Sequence, residues 1–144
     1  MSLLGVPRST STQSSDPAND TTAVYNVGPN EEHQTVQAAY DALGSTGGRI
    51  AVRHDYDSAA ESFPVDMNRT DGNGNGIPFM LKGDDVSETR IDASGSGADV
   101  FNILGPGPDY QRKVVVSNLQ IVGGQTGLTF TECPYSHLQN VVLN

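Results

Sequence analysis

The chain has 144 residues, of which 35% are hydrophobic, and its formal net charge at neutral pH is −9. Its apolar runs are too short to span a membrane, and its few basic residues form no patch that would suit a nucleic acid. The single cysteine, Cys133, excludes a disulfide within the chain, and we expect it to act as a small buried hydrophobe.

The acidic bias has a particular composition. Seventeen Asp and Glu residues oppose eight basic residues, and Lys82 and Lys113 are the only lysines. Proteins of salt-loving organisms use an acidic surface to stay soluble. The composition therefore favours a halophilic source, with an ordinary acidic surface as the alternative.

Residues 1–29 are predicted to form an extended N-terminal arm. Residues 9–22 are rich in Ser, Thr and Asp and cannot build a core. Leu3, Leu4 and Val6 could anchor the arm on a partner, so we interpret it as an attachment segment; a floppy terminus is the alternative. The first residues lack the basic and apolar regions of a Sec signal. A short strand is predicted at residues 23–27.

Residues 30–46 are predicted to contain an amphipathic helix that caps the rest of the fold. Thr35 or Asn30 is the expected N-cap, and Glu31 and Glu32 suit the positive end of a helix. Gly44 is expected to end it in the left-handed conformation. The apolar residues share one face because they stand at positions i, i+3, i+4 and i+7: Val36, Ala39, Tyr40 and Leu43.

The remaining residues, 47–144, have the pattern of short strands separated by turns. Two sequence similarities recur at an offset of 22 residues: residues 118–121 with 140–143, and residues 79–81 with 101–103. A fixed period of this length is typical of a solenoid, so we predict the first coils of a parallel β-helix that continues past Asn144. Strands are predicted at residues 49–53, 63–67, 79–82, 88–92, 100–104, 114–121, 128–131 and 138–143.

Residues 35–43, Thr-Val-Gln-Ala-Ala-Tyr-Asp-Ala-Leu, precede the segment Gly-Gly-Arg-Ile-Ala-Val at residues 47–52. Together with Ser-Asn-Leu-Gln-Ile at residues 117–121, they resemble the pectate-lyase-like superfamily of right-handed parallel β-helices. The resemblance covers residues 30–144, with Tyr40 in place of the usual aliphatic residue. It implies an all-β, right-handed parallel β-helix with an N-terminal capping helix and arm.

Within that superfamily the chain looks like a tailspike or spike of a virus particle. This likeness implies a homotrimer located on the virion or outside the cell, held to other virion proteins through residues 1–29. It would bind a glycan or surface-layer glycoprotein of the host. The alternatives are a polysaccharide lyase or glycoside hydrolase with its active groove on later coils, and a cellular surface adhesin.

One loop matches half of a calcium-binding pattern. Asp71, Asn73 and Asn75 repeat the spacing D-x-N-x-N-G, which supplies oxygen ligands in a tight turn. The twelfth position holds Lys82 instead of the usual bidentate Glu. A Gly- and Asn-rich turn without metal is the alternative, and no other cofactor is expected.

Acidic residues also occur in three close pairs that could serve sugar cleavage, which needs two carboxyl groups across a groove. The pairs are Asp55 with Asp57, Asp84 with Asp85, and Asp92 with Asp99. Solvated surface acids are the alternative. We assign no catalytic residue. The three histidines share no metal-binding spacing and are expected at the surface or at caps: His33, His54 and His137.

Overall fold

The computed structural model describes residues 23–108 and 112–144. This part of the chain is predominantly β, with one α-helix, α1, and one short 3-10 helix. The elements are β1 (Val24–Val27), α1 (Val36–Asp41), β2 (Gly48–Val52), the 3-10 helix (Ser58–Ala60), β3 (Val65–Met67), β4 (Phe79–Gly83), β5 (Arg90–Ala93), β6 (Phe101–Leu104), β7 (Val114–Gly123), β8 (Leu128–Thr131) and β9 (His137–Leu143).

The strands form two sheets in which every pairing of named strands is parallel. In the larger sheet β1, β2, β4 and β7 are neighbours in that order. The long strand β7 pairs with β4 along its first half, with β5 along its second half, and with β9 along its opposite edge. The smaller sheet has the order β3, β6, β8. The predicted strands are all present, with ends shifted by up to two residues.

Both sheets contribute to one hydrophobic core. Along β2 buried and half-buried residues alternate, and the side chains of Ile50 and Val52 are fully buried, as the sequence pattern predicts. The core of the second sheet is formed by residues that alternate in the same way on its strands: Val65, Met67, Phe101 and Ile103. The pairing therefore positions one face of each sheet inward and leaves the opposite faces for polar groups.

The predicted apolar stripe of α1 is confirmed, because Val36, Ala39, Tyr40 and Leu43 are all buried. The helix packs against β1, β2 and β3. Thr35 is the N-cap, and its side-chain oxygen accepts a hydrogen bond from the backbone N–H of Ala38 at 3.0 Å. The helix thus covers the end of the molecule where the two sheets begin.

Two expectations about the ends of α1 are wrong. No acidic residue lies in its first turn, so Glu31 and Glu32 do not fill that role. Gly44 does not adopt a positive φ; it forms an antiparallel bridge with Gly47, which has a φ of 86°. The reversal of the chain is therefore made three residues later than predicted.

Side chains of α1 and of the following chain close this end of the sheets. The side-chain amide of Gln37 accepts from the backbone N–H of Asp66 at 2.8 Å and donates to the backbone oxygen of Asp66 at 2.9 Å. It thereby takes the place that a neighbouring strand would occupy on the edge of β3. Arg69 donates to the carbonyl oxygens of Tyr40 and Asp41 at the end of the helix.

The predicted 22-residue offset is confirmed for one pair of segments and wrong for the other. Ser117 pairs with Gln139 and Leu119 with Val141, so Asn118 and Asn140 lie at equivalent positions. The side-chain amide of Asn140 donates to that of Asn118 at 3.0 Å, and both residues have φ near 57°. The two asparagines therefore stack on neighbouring strands.

The second pair, residues 79–81 and 101–103, does not stack. Phe79 pairs with Gly48 and Val114 in the larger sheet, whereas Phe101 pairs with Val65 and Leu128 in the smaller one. The two phenylalanines line one core from different sheets, which gives them the same apolar pattern without a shared register. Sequence similarity alone does not distinguish these two arrangements.

Candidate functional site

An open groove of about 700 Å³ lies beside β5. We call it the β5 groove. The 3-10 helix forms one wall and β5 with the turn after it forms the other. Its lining consists of Tyr56, Asp57, Ser58, Ala59, Glu61, Phe63, Arg90, Asp92, Ala93, Ser94, Gly95 and Ser96.

The two walls of the groove are joined by one hydroxyl group. The Ser58 side chain accepts a hydrogen bond from the backbone N–H of Asp92 at 2.8 Å and donates to the backbone oxygen of Arg90 at 3.2 Å. Asp57 holds the start of the 3-10 helix, since its carboxylate accepts from the backbone N–H of Ala59 at 2.9 Å. The groove is therefore a fixed feature of the backbone.

The floor along β5 carries an ion pair. The guanidinium of Arg90 lies 3.0 Å from the carboxylate of Asp92, and both side chains are partly exposed to solvent. Hydrogen bonds from Ser94, together with the nearby charge of Arg90, lower the pKa of Asp92. At neutral pH this part of the groove presents a cation beside an anion.

The inner end of the groove is a buried hydrogen-bond cluster around Glu61. Its carboxylate accepts from the backbone N–H groups of Val36 at 2.8 Å and Gln37 at 3.0 Å, at the start of α1. The hydroxyl group of Tyr56 donates to the same carboxylate. Glu61 is thus the anion that the positive end of the helix requires, supplied from 25 residues away in sequence.

Burial, followed by the neighbouring Glu61 carboxylate, raises the pKa of Tyr56 above its usual range. The unfolded chain loses the tyrosine proton near pH 10, whereas the folded chain keeps it, so stability is lost as the pH rises above 10. We expect a decrease of about 1.4 kcal/mol per pH unit from this group. Urea unfolding at pH 9 and pH 11 measures the effect, and Tyr56→Phe should reduce the pH dependence; an unchanged dependence in that variant would contradict the assignment.

Each carboxylate that lines the groove already has a specific partner. Glu61 is bound by the helix, Asp57 caps the 3-10 helix, and Asp92 is held ionised. In the described residues these three carboxylates therefore each have a structural partner.

The other predicted acidic pairs are distributed among turns. Asp84 accepts from the backbone N–H of His54 at 3.0 Å and lies 3.1 Å from the guanidinium of Arg53. The carboxylate of Asp85 accepts from the N–H and hydroxyl groups of Ser87. Of the pair Asp92 and Asp99, only Asp92 lines the groove. Asp55 also lies outside its lining.

The proposed calcium loop is organised by Asp71. One oxygen of its carboxylate accepts from the backbone N–H groups of Asn73 at 2.7 Å and Asn75 at 3.1 Å, and the other lies 2.8 Å from Arg112. Hydrogen bonds from Arg112 and then from Asn73 lower the pKa of Asp71. A guanidinium at this distance competes with a cation for the same oxygen. Calcium binding by Asp71, Asn73 and Asn75 remains a hypothesis.

The remaining candidates lie apart from one another. Within residues 23–108 and 112–144, no group of three or more His, Cys, Asp or Glu side chains could hold a metal ion. His54 and His137 are exposed, whereas His33 is largely buried with its ring 5.7 Å from that of Tyr25. Cys133 is half-buried against the core, and burial raises the pKa of its thiol. This environment agrees with an inert side chain.

Sequence reasoning identified Asp57 and Asp92 but missed Ser58, Glu61 and Arg90, which also build the groove. Arg90 stands at an exposed position of an alternating strand. The alternation of residues 88–92 could therefore have predicted that its side chain faces solvent. Ser58 and Glu61 had no such signal, because their roles depend on contacts with β5 and α1.

No helix in the described ranges is long and apolar enough to cross a membrane. Comparison with family models, curated proteins and solved structures gives no match for this chain.

Proposed function

We propose that this chain forms the first coils of a right-handed parallel β-helix in a spike of a virus particle, and that it binds a host-surface glycan. The parallel pairing of all named strands, the core shared by two sheets and the stacked Asn118 and Asn140 support a coiled arrangement. The buried face of α1 supports its role as an N-terminal cap.

The charge of the chain supports a salt-loving host. A net charge of −9 with two lysines gives an acidic surface that stays soluble at high ionic strength. In the proposed assembly, three copies associate and residues 1–29 bind other virion proteins. Residues 1–22 lie outside the described part of the chain, and residues 24–27 form β1 in the larger sheet.

The β5 groove is the observation that carries the binding proposal. Sugar hydroxyl groups both donate and accept hydrogen bonds, and the adjacent Arg90 and Asp92 offer one donor and one acceptor 3.0 Å apart. Phe63, half-buried in the lining, supplies an apolar surface for a sugar ring. The groove is open to solvent, which suits an oligosaccharide that extends beyond it.

A polysaccharide lyase or glycoside hydrolase is the second candidate, with its active groove on later coils. The hydrogen bonds that engage Asp57 and Glu61, and the lowered pKa of Asp92, support binding over cleavage within the residues described. Turnover of a polysaccharide by the chain would favour the enzyme instead.

An array of neutral, sulfated and uronic-acid oligosaccharides tests the proposal. We expect Arg90→Ala to weaken binding of the best oligosaccharide about tenfold or more, because the variant loses a charged hydrogen-bond donor. Arg53→Ala is the matched control, since Arg53 is also a partly exposed, ion-paired arginine but lies outside the groove. Equal loss in both variants, or no binding by the parent chain at molar salt, would contradict the proposal.

A further inference from the structure

The end of the two sheets opposite α1 exposes apolar side chains. Leu138 is 43% exposed and Leu143 is 54% exposed, although both stand on a strand of the larger sheet. On the smaller sheet, Leu128 and Phe130 of β8 are only half-buried. We call the surface formed by these four residues and Val141 the terminal face.

These side chains point to the same side as the core. Leu138 pairs with Val116, Val141 with Leu119, and Leu143 with Ile121, and the three partners are fully buried. Because paired residues of neighbouring strands lie on the same face of a sheet, the apolar side chains of β9 extend the core. Nothing among the described residues covers them from the other side.

The exposed edge also lacks the charges that protect sheet edges. Residues 137–144 read His-Leu-Gln-Asn-Val-Val-Leu-Asn and residues 128–131 read Leu-Thr-Phe-Thr, without Asp, Glu, Lys or Arg. Edge strands that face water permanently usually carry charges or proline, which prevent further pairing. In a chain of net charge −9, an uncharged final strand on each sheet indicates a surface that accepts another strand.

The opposite end of the two sheets is closed by α1 and by a side chain bound to the edge of β3. There α1 buries its apolar stripe, and Gln37 binds both backbone groups of Asp66 on the edge of β3. A second copy of the chain could not stack its closed end on the terminal face by parallel strand pairing, since β3 would have to lose those bonds.

Asn140 restricts how a strand can be added. It has a φ of 57°, which bends β9, and its amide nitrogen donates to Asn118 below it. A second β9 paired antiparallel with matching bends would align Asn140 with Asn140, and so Leu138 with Val142. Val142 pairs with Gln120 and lies on the outer face, so the inward and outward side chains would not match. A parallel strand with its own bend above Asn140 places inward side chains beside inward ones and outward side chains beside outward ones.

We propose that the terminal face is the docking surface for one further polypeptide layer built like β8 and β9. Its strand on β9 would run parallel, with the pattern apolar-x-Asn-apolar-x-apolar, and its asparagine would donate to the side-chain oxygen of Asn140. The same pattern occurs twice within the chain, at residues 116–121 and 138–143. The inference rests on strand pairing and is independent of glycan binding.

The test supplies such a layer by appending a second copy of residues 123–144 after Asn144. We expect the extension to raise the melting temperature and to slow amide exchange in residues 137–143 about tenfold, because β9 becomes an internal strand while the appended copy takes over the exposed end. The control is the same extension with Leu138→Ser, Val141→Ser and Leu143→Ser in the appended copy only.

An appended copy that stays protease-sensitive, or that changes these quantities no more than the serine control, would overturn the proposal. So would a parent chain that is already a stable dimer with little binding of the dye ANS, because the occupant would then be a second copy. A rise in ANS binding after deletion of residues 1–22 would likewise overturn it, by identifying the chain's own N-terminal segment as the occupant.

Discussion

Replacing Glu61 with alanine is expected to lower the free energy of unfolding by about 3 to 5 kcal/mol. The carboxylate accepts hydrogen bonds from the backbone N–H groups of Val36 and Gln37 and from the hydroxyl group of Tyr56. Without the carboxylate, the buried N–H of Val36 and the buried hydroxyl group of Tyr56 lose their acceptor. The partial positive charge at the start of α1 also loses its negative partner. Urea unfolding at neutral pH, followed by circular dichroism, measures the change.

The matched control is Glu88→Ala, which removes an exposed glutamate and should change stability by less than about 0.5 kcal/mol. Glu61→Gln separates shape from charge. Its side chain keeps one carbonyl acceptor but points an NH₂ group at another donor, so we expect an intermediate loss. A Glu61→Ala variant as stable as Glu88→Ala would show that the cluster does not hold α1 in place.

The second large effect concerns Gly83 of β4, which lies close to β7 and to Thr89. A methyl group on this residue would lie 2.1 Å from the backbone oxygen of Asn118 and 2.9 Å from Cβ of Thr89. Backbone atoms cannot move away without disturbing the pairing of β4 with β7. We expect Gly83→Ala to destabilise the fold by about 3 kcal/mol or more, measured as a shift in the urea midpoint.

Gly72→Ala is the control for this substitution. Nothing lies within 4 Å of a methyl group on Gly72 and the residue is exposed, so alanine should be neutral or slightly stabilising there through the unfolded chain. If the two variants unfolded at the same urea concentration, the close approach of Gly83 and Asn118 would be contradicted.

Local patterns in the sequence were sufficient to locate the strands and the buried face of α1. Alternation identified Ile50 and Val52 because one face of β2 is buried along its whole length. The asparagine stack could be predicted because Asn118 and Asn140 occupy the same place in two similar segments. Each of these features can be recognised from the pattern within short segments of the chain.

Features that depend on distant contacts could not be predicted in this way. The separation of stacked residues is not constant: Gly48 and Phe79 are 31 residues apart, Phe79 and Val114 are 35, and Val115 and His137 are 22. A fixed period therefore describes only the last pairing. The coiled architecture itself remains a proposal that this parallel pairing supports.

The candidate site was the least predictable part for the same physical reason. Its walls come from the 3-10 helix and β5, which meet through Ser58 and the backbone of Arg90 and Asp92, some 32 to 34 residues apart. The sequence did identify Asp57 and Asp92 as acidic residues of interest. Their roles, as a helix cap and as the partner of Arg90, depend on neighbours that only the fold supplies.

Nuclear magnetic resonance mapping of a bound oligosaccharide tests the central claim most directly. The best ligand from the array is titrated into isotope-labelled protein at molar salt, and backbone amide shifts are followed. Our account predicts saturable shifts centred on Ser58, Asp92 and Ser94, lost in Arg90→Ala, with the oligosaccharide recovered intact. Shifts confined to other surfaces, or cleavage of the oligosaccharide, would contradict it.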